Sequence, residues 1–495
     1  MSPRGGQSFM TESNSSSVTR LTVGESRTHL STNGQDQFHF GTGLRVALVT
    51  AAAVAVLGIG FSNSAAGRLL MPLVGLAGVA ILGYIAVTRF EAFILTVLVV
   101  RSALDLTKTT DTGASITDPA SLVALLMIGA SLMWLLGSRH KRIAHRWTPF
   151  SIGIVGLGLA SMVSLLGTNN LLTSISEALR IISGVLMFLV CDRLLAFGTS
   201  KKSFVWVIAA AGLVPLLMGV VGPLLNLNVT HVKDGVIALH STFHLSNAYA
   251  HFLLPYLVVG AALWLYARGW KSKAALGALL AVAAVEMLFT QTRGAWIGLG
   301  LALLLVAILD RRWLGIVATV AAAVALLLSP LFAARIVDLG QNPDQPRQTN
   351  SWEWRVEHWG QIIPLVDGKP LTGIGAGMTL EESPNEKEPH NDYILALVEL
   401  GAFGIVTYLV VVGGFIYVSF RALRRTDEGW ERGLLLGIAA YSVAFAAVSL
   451  AENLVTSVAF LWYVMPLAAI AHHHAYRRGG VAAKRDEQRV APQSR

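Results

Sequence analysis

A single cysteine, Cys191, stands in a chain of 495 residues. It lies inside an apolar run, which excludes an internal disulfide and a cysteine-rich metal site. Charge is scarce too: Asp, Glu, Lys and Arg supply 14% of the residues, against roughly 25% in soluble domains. Hydrophobic residues reach 54% and mean hydropathy is +0.59. This excludes an ordinary soluble domain and points to a polytopic membrane protein. Residues 1–43 are polar, rich in Ser, Thr and Gly, and lack the apolar core of a cleavable signal sequence. They are expected to form a disordered cytoplasmic tail, with the first span as an uncleaved signal anchor. The net charge of +9 is read as the Lys/Arg excess of cytoplasmic loops, with no nucleic-acid partner.

Runs of about 20 apolar residues suffice to cross a bilayer. They fall at 44–61, 69–88, 90–105, 118–137, 148–167, 175–195, 203–222, 247–267, 273–291, 294–309, 313–334, 392–420, 433–451 and 455–472. The expected fold is therefore an all-α membrane protein of about fourteen transmembrane helices. Its domain spans 44–472, followed by a basic cytoplasmic tail at 473–495. The runs 273–291 and 294–309 are separated by Thr292-Arg293, which predicts either a tight hairpin or a broken helix. Basic clusters at 139–146, 193–202, 268–273, 310–312, 421–432 and 477–478 fall on one side of this threading, which the positive-inside rule makes cytoplasmic. Both termini join that side. The connections 106–117, 168–174, 223–246 and 335–391 are poor in Lys and Arg and face outward.

The longest outward connection, 335–391, ends in Pro389-His390-Asn391-Asp392-Tyr393 at the threshold of an apolar run. Histidine titrates nearest neutral pH and is the commonest general base, so His390 is the catalytic candidate. Helical spacing sets His390, Ile394, Leu397, Gly401 and Gly404 on one face, above a glycine seam, and turns Glu399 away. Upstream, Trp352, Val356, Trp359 and Ile363 recur at helical spacing, with Glu353, Arg355, Glu357 and His358 on the remainder. That pattern predicts an amphipathic helix on the membrane surface. Its tryptophans suit either the interface or stacking on sugar rings; Arg355 is placed to stack on Trp359 or to pair near Glu353. The glycine-rich stretch Lys369 to Gly377 offers backbone amides for phosphate oxygens. It lacks the strand-to-helix setting of a dinucleotide fold.

Ionisable groups within spans are costly and are usually paired or functional. Arg180 and Glu177, three residues apart, either neutralise each other or serve a ligand. Arg101 and Asp105 read as a structural pair, and Glu286 lies slightly deeper. Arg293 has no acidic neighbour within four residues, which favours a functional role over simple anchoring.

The order Arg355, Trp359, Pro370-Leu371-Thr372-Gly373-Ile374-Gly375, Pro389-His390-Asn391 and Glu399-Leu400-Gly401-Ala402-Phe403-Gly404 resembles the O-antigen ligase and O-antigen polymerase superfamily. Thr242-Phe243 with Asn247 and Ala250, and Thr292-Arg293-Gly294-Ala295-Trp296, extend the resemblance over roughly residues 170–455. It implies a GT-C-like membrane glycosyltransferase in the bacterial cytoplasmic (inner) membrane. Such an enzyme moves a glycan from an undecaprenyl-diphosphate carrier to a saccharide or glycolipid acceptor on the extracytoplasmic face. The resemblance makes His390 catalytic, sets Arg293, Arg180 and Arg355 toward the donor diphosphate, and places Trp359, Asn391, Asn247 and Gly375 around the substrate. No metal or other cofactor is expected. Many members carry arginine then glycine near Ala238 to Ser241, where this chain offers His240 or Lys233 instead. The rival reading is a lipid-linked oligosaccharide flippase. Such transporters favour midplane binding groups between repeated halves, which this sequence does not show.

Overall fold

The computed structural model describes residues 65–104, 119–137, 146–233, 236–311, 351–384, 386–426 and 428–476. The expected spans 44–61 and 313–334, the N-terminal tail and the chain after 476 lie outside the described residues. The apolar runs between 69 and 309 all emerge as helices: α1 (Ala65–Thr88), α2 (Phe90–Leu104), α3 (Pro119–Leu136), α4 (Pro149–Val163), α5 (Leu171–Ala196), α6 (Lys201–Leu224), α7 (Ser246–Tyr266), α8 (Trp270–Phe289) and α9 (Arg293–Leu309). Two short helices follow, α10 (Ser351–Ile362) and α11 (Met378–Glu382). The long apolar runs then resume as α12 (Asp392–Leu423), α13 (Gly429–Val448) and α14 (Val458–Tyr476). Among the described residues, six helices are long and apolar enough to cross a membrane: α4 with its 3-10 extension to Leu166, α6, α7, α8, α12 and α13. The all-α expectation missed one feature, an antiparallel hairpin of β1 (Thr230–Lys233) and β2 (Val236–Leu239).

Local chemistry sets the helix limits. Thr148 caps α4 in a reciprocal capping box with Ser151, and Pro149 supplies a first helical residue whose missing N–H costs nothing. Asn170 caps α5 by accepting the Thr173 amide. Pro215 lies inside α6, where proline cannot donate to the carbonyl four residues back. That carbonyl, on Ala211, accepts the Ser102 hydroxyl of α2 at 2.7 Å. A backbone group freed within a membrane helix must find such a partner.

The helices α4 and α12 pack closely through small residues. A Cβ on Gly153 would lie 2.7 Å from the Val411 amide, and Gly414 faces the Phe150 backbone in the same manner. On the other flank, Trp462 of α14 donates to Ser183 of α5 at 3.0 Å.

Side-chain bonds sort the connections into two ends. At one end Arg146 donates to the Tyr476 carbonyl, Lys201 meets Glu431 and His474, Tyr266 donates to Asp310, and Arg425 reaches the Ala475 carbonyl. At the other, Asn170 reaches Glu381, Lys369 reaches the Gly167 carbonyl, Thr292 reaches Asn247, and Asp392 receives the amides of Leu454 and Val455. Among the described residues, the first end carries Arg146, Lys201, Arg425 and Arg432, and the second holds Asn247, Asn391 and Asp392.

Candidate active site

The connection 449–457, between α13 and α14, organises the second end. Asn453 uses both ends of its amide: its oxygen accepts the Asn391 amide at 2.8 Å, and its nitrogen donates to Glu388 at 2.6 Å. Asp392, buried at the start of α12, accepts the backbone amides of Leu454 and Val455 and the hydroxyl of Tyr408. Asn391 caps α12 by accepting the amides of Tyr393 and Ile394. His390 is therefore fixed by its successors on the chain, since Asn391 and Asp392 are both bound to one loop. His390 itself is half-buried and takes a left-handed backbone with φ of 49°. A non-glycine residue there is uncommon, costs of order 1–3 kcal/mol, and is concentrated at functional sites.

Trp359 donates its indole N–H to the Pro389 carbonyl at 2.7 Å and so braces the residue before His390. Arg355 donates to the Ala451 carbonyl at 2.7 Å. The helix α10 forms where the amphipathic pattern predicts it, but its packed face is different. His358, expected on the polar face, is buried, stacks on Trp354 and bonds the Lys387 carbonyl at 3.0 Å. Ile362 joins Ile374, Met378 and Val398 in a small core, while Val356 and Ile363 stay exposed. The reason is competition: the 363–378 segment and α12 offer α10 a protein surface to bury against. Side-chain placement of Trp352 and Glu353 lies outside the described residues.

The same 449–457 loop reaches Arg293. Glu452 is buried and accepts Asn247 Nδ2 at 3.3 Å, with His251 Nε2 at 3.9 Å. Asn247 in turn accepts the Thr292 hydroxyl at 3.0 Å. Glu452 Oε1 lies 3.1 Å from where a Cβ on Gly294 would stand. Arg293, which has no acidic neighbour in sequence, thus begins α9 beside a carboxylate from a distant segment. Between α8 and α9 the chain breaks at Gln291, whose left-handed φ of 55° leaves Arg293 at a helix N-terminus.

Arg180 is bonded to Glu177, the pairing that its spacing allowed. Glu177, Asp392 and Glu399 line one cavity of about 20 Å³ with Tyr408 and Thr456, room for roughly one water. Arg180 therefore stands near the first turns of α12, beyond His390 in the chain. Asn247 meets the 449–457 loop at Glu452. The described bonds thus join Asn391 and Arg355 to the 449–457 loop directly, Trp359 to the Pro389 carbonyl beside His390, and Asn247 to Glu452, while Arg180 bonds Glu177 on the cavity wall.

Two expectations about the glycine-rich stretch are overturned. Its amides do not face outward: Gly373 donates to Lys369, Ile374 to Val398, Gly375 to Glu399, Ala376 to the Ser164 hydroxyl and Gly377 to the Glu399 carboxylate. These five amides are therefore not left for phosphate, and Gly375 is buried, its Cα packed on Thr168 and Ser174. Second, α12 is not one continuous helix. Gly401 has φ of 68°, and Ala402 donates to the Pro370 carbonyl because the 370–375 loop inserts there. The helical phase from His390 therefore ends before Gly404. Glu399 does turn away from His390, capping the amides of Gly377 and Thr379 and accepting the Thr379 hydroxyl.

Neither suggested substitute for the missing arginine is shown as a cation. His240 bonds the Phe243 carbonyl at 2.6 Å and stacks on His231. Burial, opposed by that bond, lowers its pKa from 6.5, so it is neutral at pH 7. The Lys233 side chain and Asp105, the partner proposed for Arg101, lie outside the described residues. Thr242 and Phe243 are structural: the first donates to the Ser102 carbonyl at 2.6 Å, and the second stacks on Tyr249 and Phe252.

Residues 276–409 match a family model described as O-antigen ligase. This segment is similar to the O-antigen ligase family. It contains Arg293, Arg355, Trp359, Gly375, His390 and Asn391, whereas Arg180, Asn247 and the 449–457 loop lie outside it. A comparison with curated proteins gave no match. The ligase-family segment thus supplies most of the candidate residues, and flanking helices supply what holds them. Sequence reasoning missed Glu452, Asn453, Glu388 and Asp392. The signal for the first two was present: Glu452-Asn453 is a polar pair separating two apolar runs that otherwise need no loop.

Proposed function

We propose that this chain transfers a glycan from an undecaprenyl-diphosphate-linked donor to a sugar acceptor at the extracytoplasmic face of the cytoplasmic membrane. The ligase-family match supports glycan transfer of this general type. The observation that carries the residue-level reading is the 449–457 loop, whose adjacent residues Glu452 and Asn453 hold the Arg293 corner and the His390 segment.

The donor already contains its leaving group. Neutral His390 accepts the proton of the acceptor hydroxyl as the acceptor oxygen bonds to the anomeric carbon. The anomeric carbon–oxygen bond to the diphosphate breaks, and the lipid diphosphate departs with the electron pair. Arg293 meets that charge with a permanently charged, bidentate donor set at a helix N-terminus, where exposed amides and the helix dipole also favour an anion. Arg180 keeps further N–H donors beyond the one given to Glu177 and assists there. Arg355, bonded to Ala451, and Trp359, bonded to Pro389, position the loop and present the indole face to sugar. The arginines supply the charge stabilisation for which other transferases use a divalent metal, so transfer proceeds without one. In a purified, reconstituted enzyme, transfer that persists in excess EDTA supports this account; activity abolished by EDTA and restored by a divalent cation refutes it.

A further inference from the structure

The β1–β2 hairpin presents an apolar face that the transferase reading does not use. Near its turn, the cross-strand partners Val232 and Ile237 are exposed at 73% and 67%, whereas Ala238 and Leu239 at its root are buried. The root is fixed to the end of α6, with Val229 packed over Gly222 and accepting the amides of His240 and Ser241. The strand β2 also contacts α8.

Both supporting helices expose apolar stripes that run to the same end. On α6 the exposed residues are Leu213, Leu217, Val220 and Leu224, at the spacing of one helical face. On α8, Val282, Val285, Leu288 and Phe289 are exposed toward the same end, and Trp270 is exposed at the other. Both helices are long and apolar enough to span a bilayer, so these stripes are lipid-facing. Leu225 continues the α6 stripe past the helix end. From 221 to 239 the only charged residues are Lys233 and Asp234, at the turn.

We propose that this hairpin is an interfacial anchor: its Val232/Ile237 face rests in the acyl boundary of the leaflet at the His390 end. Interfacial elements bury their apolar face about 5–10 Å into that boundary. A lipid surface fits the face better than a protein partner. The face continues two lipid-facing stripes, and one cross-strand pair falls far short of the roughly 800 Å² per partner of a stable protein interface. The strands satisfy each other's backbone groups on their shared edge, and the remaining edges keep access to interfacial water.

The test places cysteine at Val232 or Ile237, labels it with an environment-sensitive fluorophore, and reconstitutes the full chain in phosphatidylcholine–phosphatidylglycerol vesicles. Buried Cys191 does not compete for the label. Lys387→Cys, at an exposed loop position of the same end, is the aqueous control. Blue-shifted emission at both hairpin sites, with severalfold stronger quenching by lipid-borne spin labels than by iodide, is expected; the control shows the reverse. Iodide quenching equal to the control overturns the proposal. Protection from both quenchers also overturns it, and disulfide cross-linking of Val232→Cys between copies then assigns the face to a second chain. Because this readout follows membrane depth and not glycan transfer, its failure is distinct from failure of the transferase reading.

Discussion

At the residue scale, the left-handed backbone of His390 decides which substitution is informative. Asparagine tolerates that conformation better than most residues and lacks a basic nitrogen. The variant His390→Asn is therefore expected to fold as the parent does and to lose transfer by about 10²–10⁴-fold, with near-parental donor binding. Initial rates against donor concentration, beside thermal unfolding in detergent, check both parts. Arg293→Ala should raise the donor KM by roughly ten- to a hundredfold, since charge-assisted hydrogen bonds are worth about 1.5–3 kcal/mol. A donor titration that matches the parent removes Arg293 from the diphosphate. His240 provides a stability prediction. Its folded pKa lies below 6.5, so the unfolded chain binds that proton more readily. Its contribution is complete above pH 6.5 and is lost as pH falls below it. His240→Gln should therefore flatten the decline in melting temperature between pH 7 and 5.

At the element scale, α12 depends on a loop that no periodicity reveals. Glu399 holds the amides of Gly377 and Thr379 while Gly401 opens the helix to the 370–375 segment. Glu399→Ala removes the acceptor of three donors, the Gly377 and Thr379 amides and the Thr379 hydroxyl, and should cost about 1–3 kcal/mol per group left unsatisfied. The melting temperature should drop by several degrees even when the His390 segment is intact. A melting temperature equal to the parent's argues against this capping role. Apolar run length located the helices because crossing a bilayer demands about 20 such residues, and nothing else in the chain supplies them. The Glu399 cap and the Gly401 break were illegible for the opposite reason. They arise from segments about 20 residues apart in sequence meeting in space, as the Gly377–Glu399 bond does, and neither partner's composition announces the other. His358 shows the same limit: its polarity placed it on the outer face, yet the Lys387 carbonyl offers it a buried acceptor.

At the scale of the whole molecule, side-chain bonds sort the described connections into two ends. Legible in sequence was the helical architecture; His390, Arg293 and Arg180 are the residues proposed to carry the chemistry. Illegible was the 449–457 loop that binds Asn391 and Asn247, because its polar pair carries no motif and gains meaning only from those two residues across space. Orientation in the membrane is a separate prediction. Lys387→Cys should react with a membrane-impermeant maleimide in intact cells, whereas Lys202→Cys, at the basic end, should react only after permeabilisation. The inverse pattern reverses the assigned sides.

The central claim is that His390 and the arginines join a lipid-diphosphate-linked glycan to an acceptor. The most direct measurement supplies the purified, reconstituted chain with an undecaprenyl-diphosphate-linked glycan and candidate saccharide acceptors, and follows both products by mass spectrometry. The account predicts stoichiometric release of undecaprenyl diphosphate and a new glycosidic bond with the parent, and neither with His390→Asn. Full transfer by His390→Asn, or movement of the intact donor between leaflets without any new glycosidic bond, contradicts it.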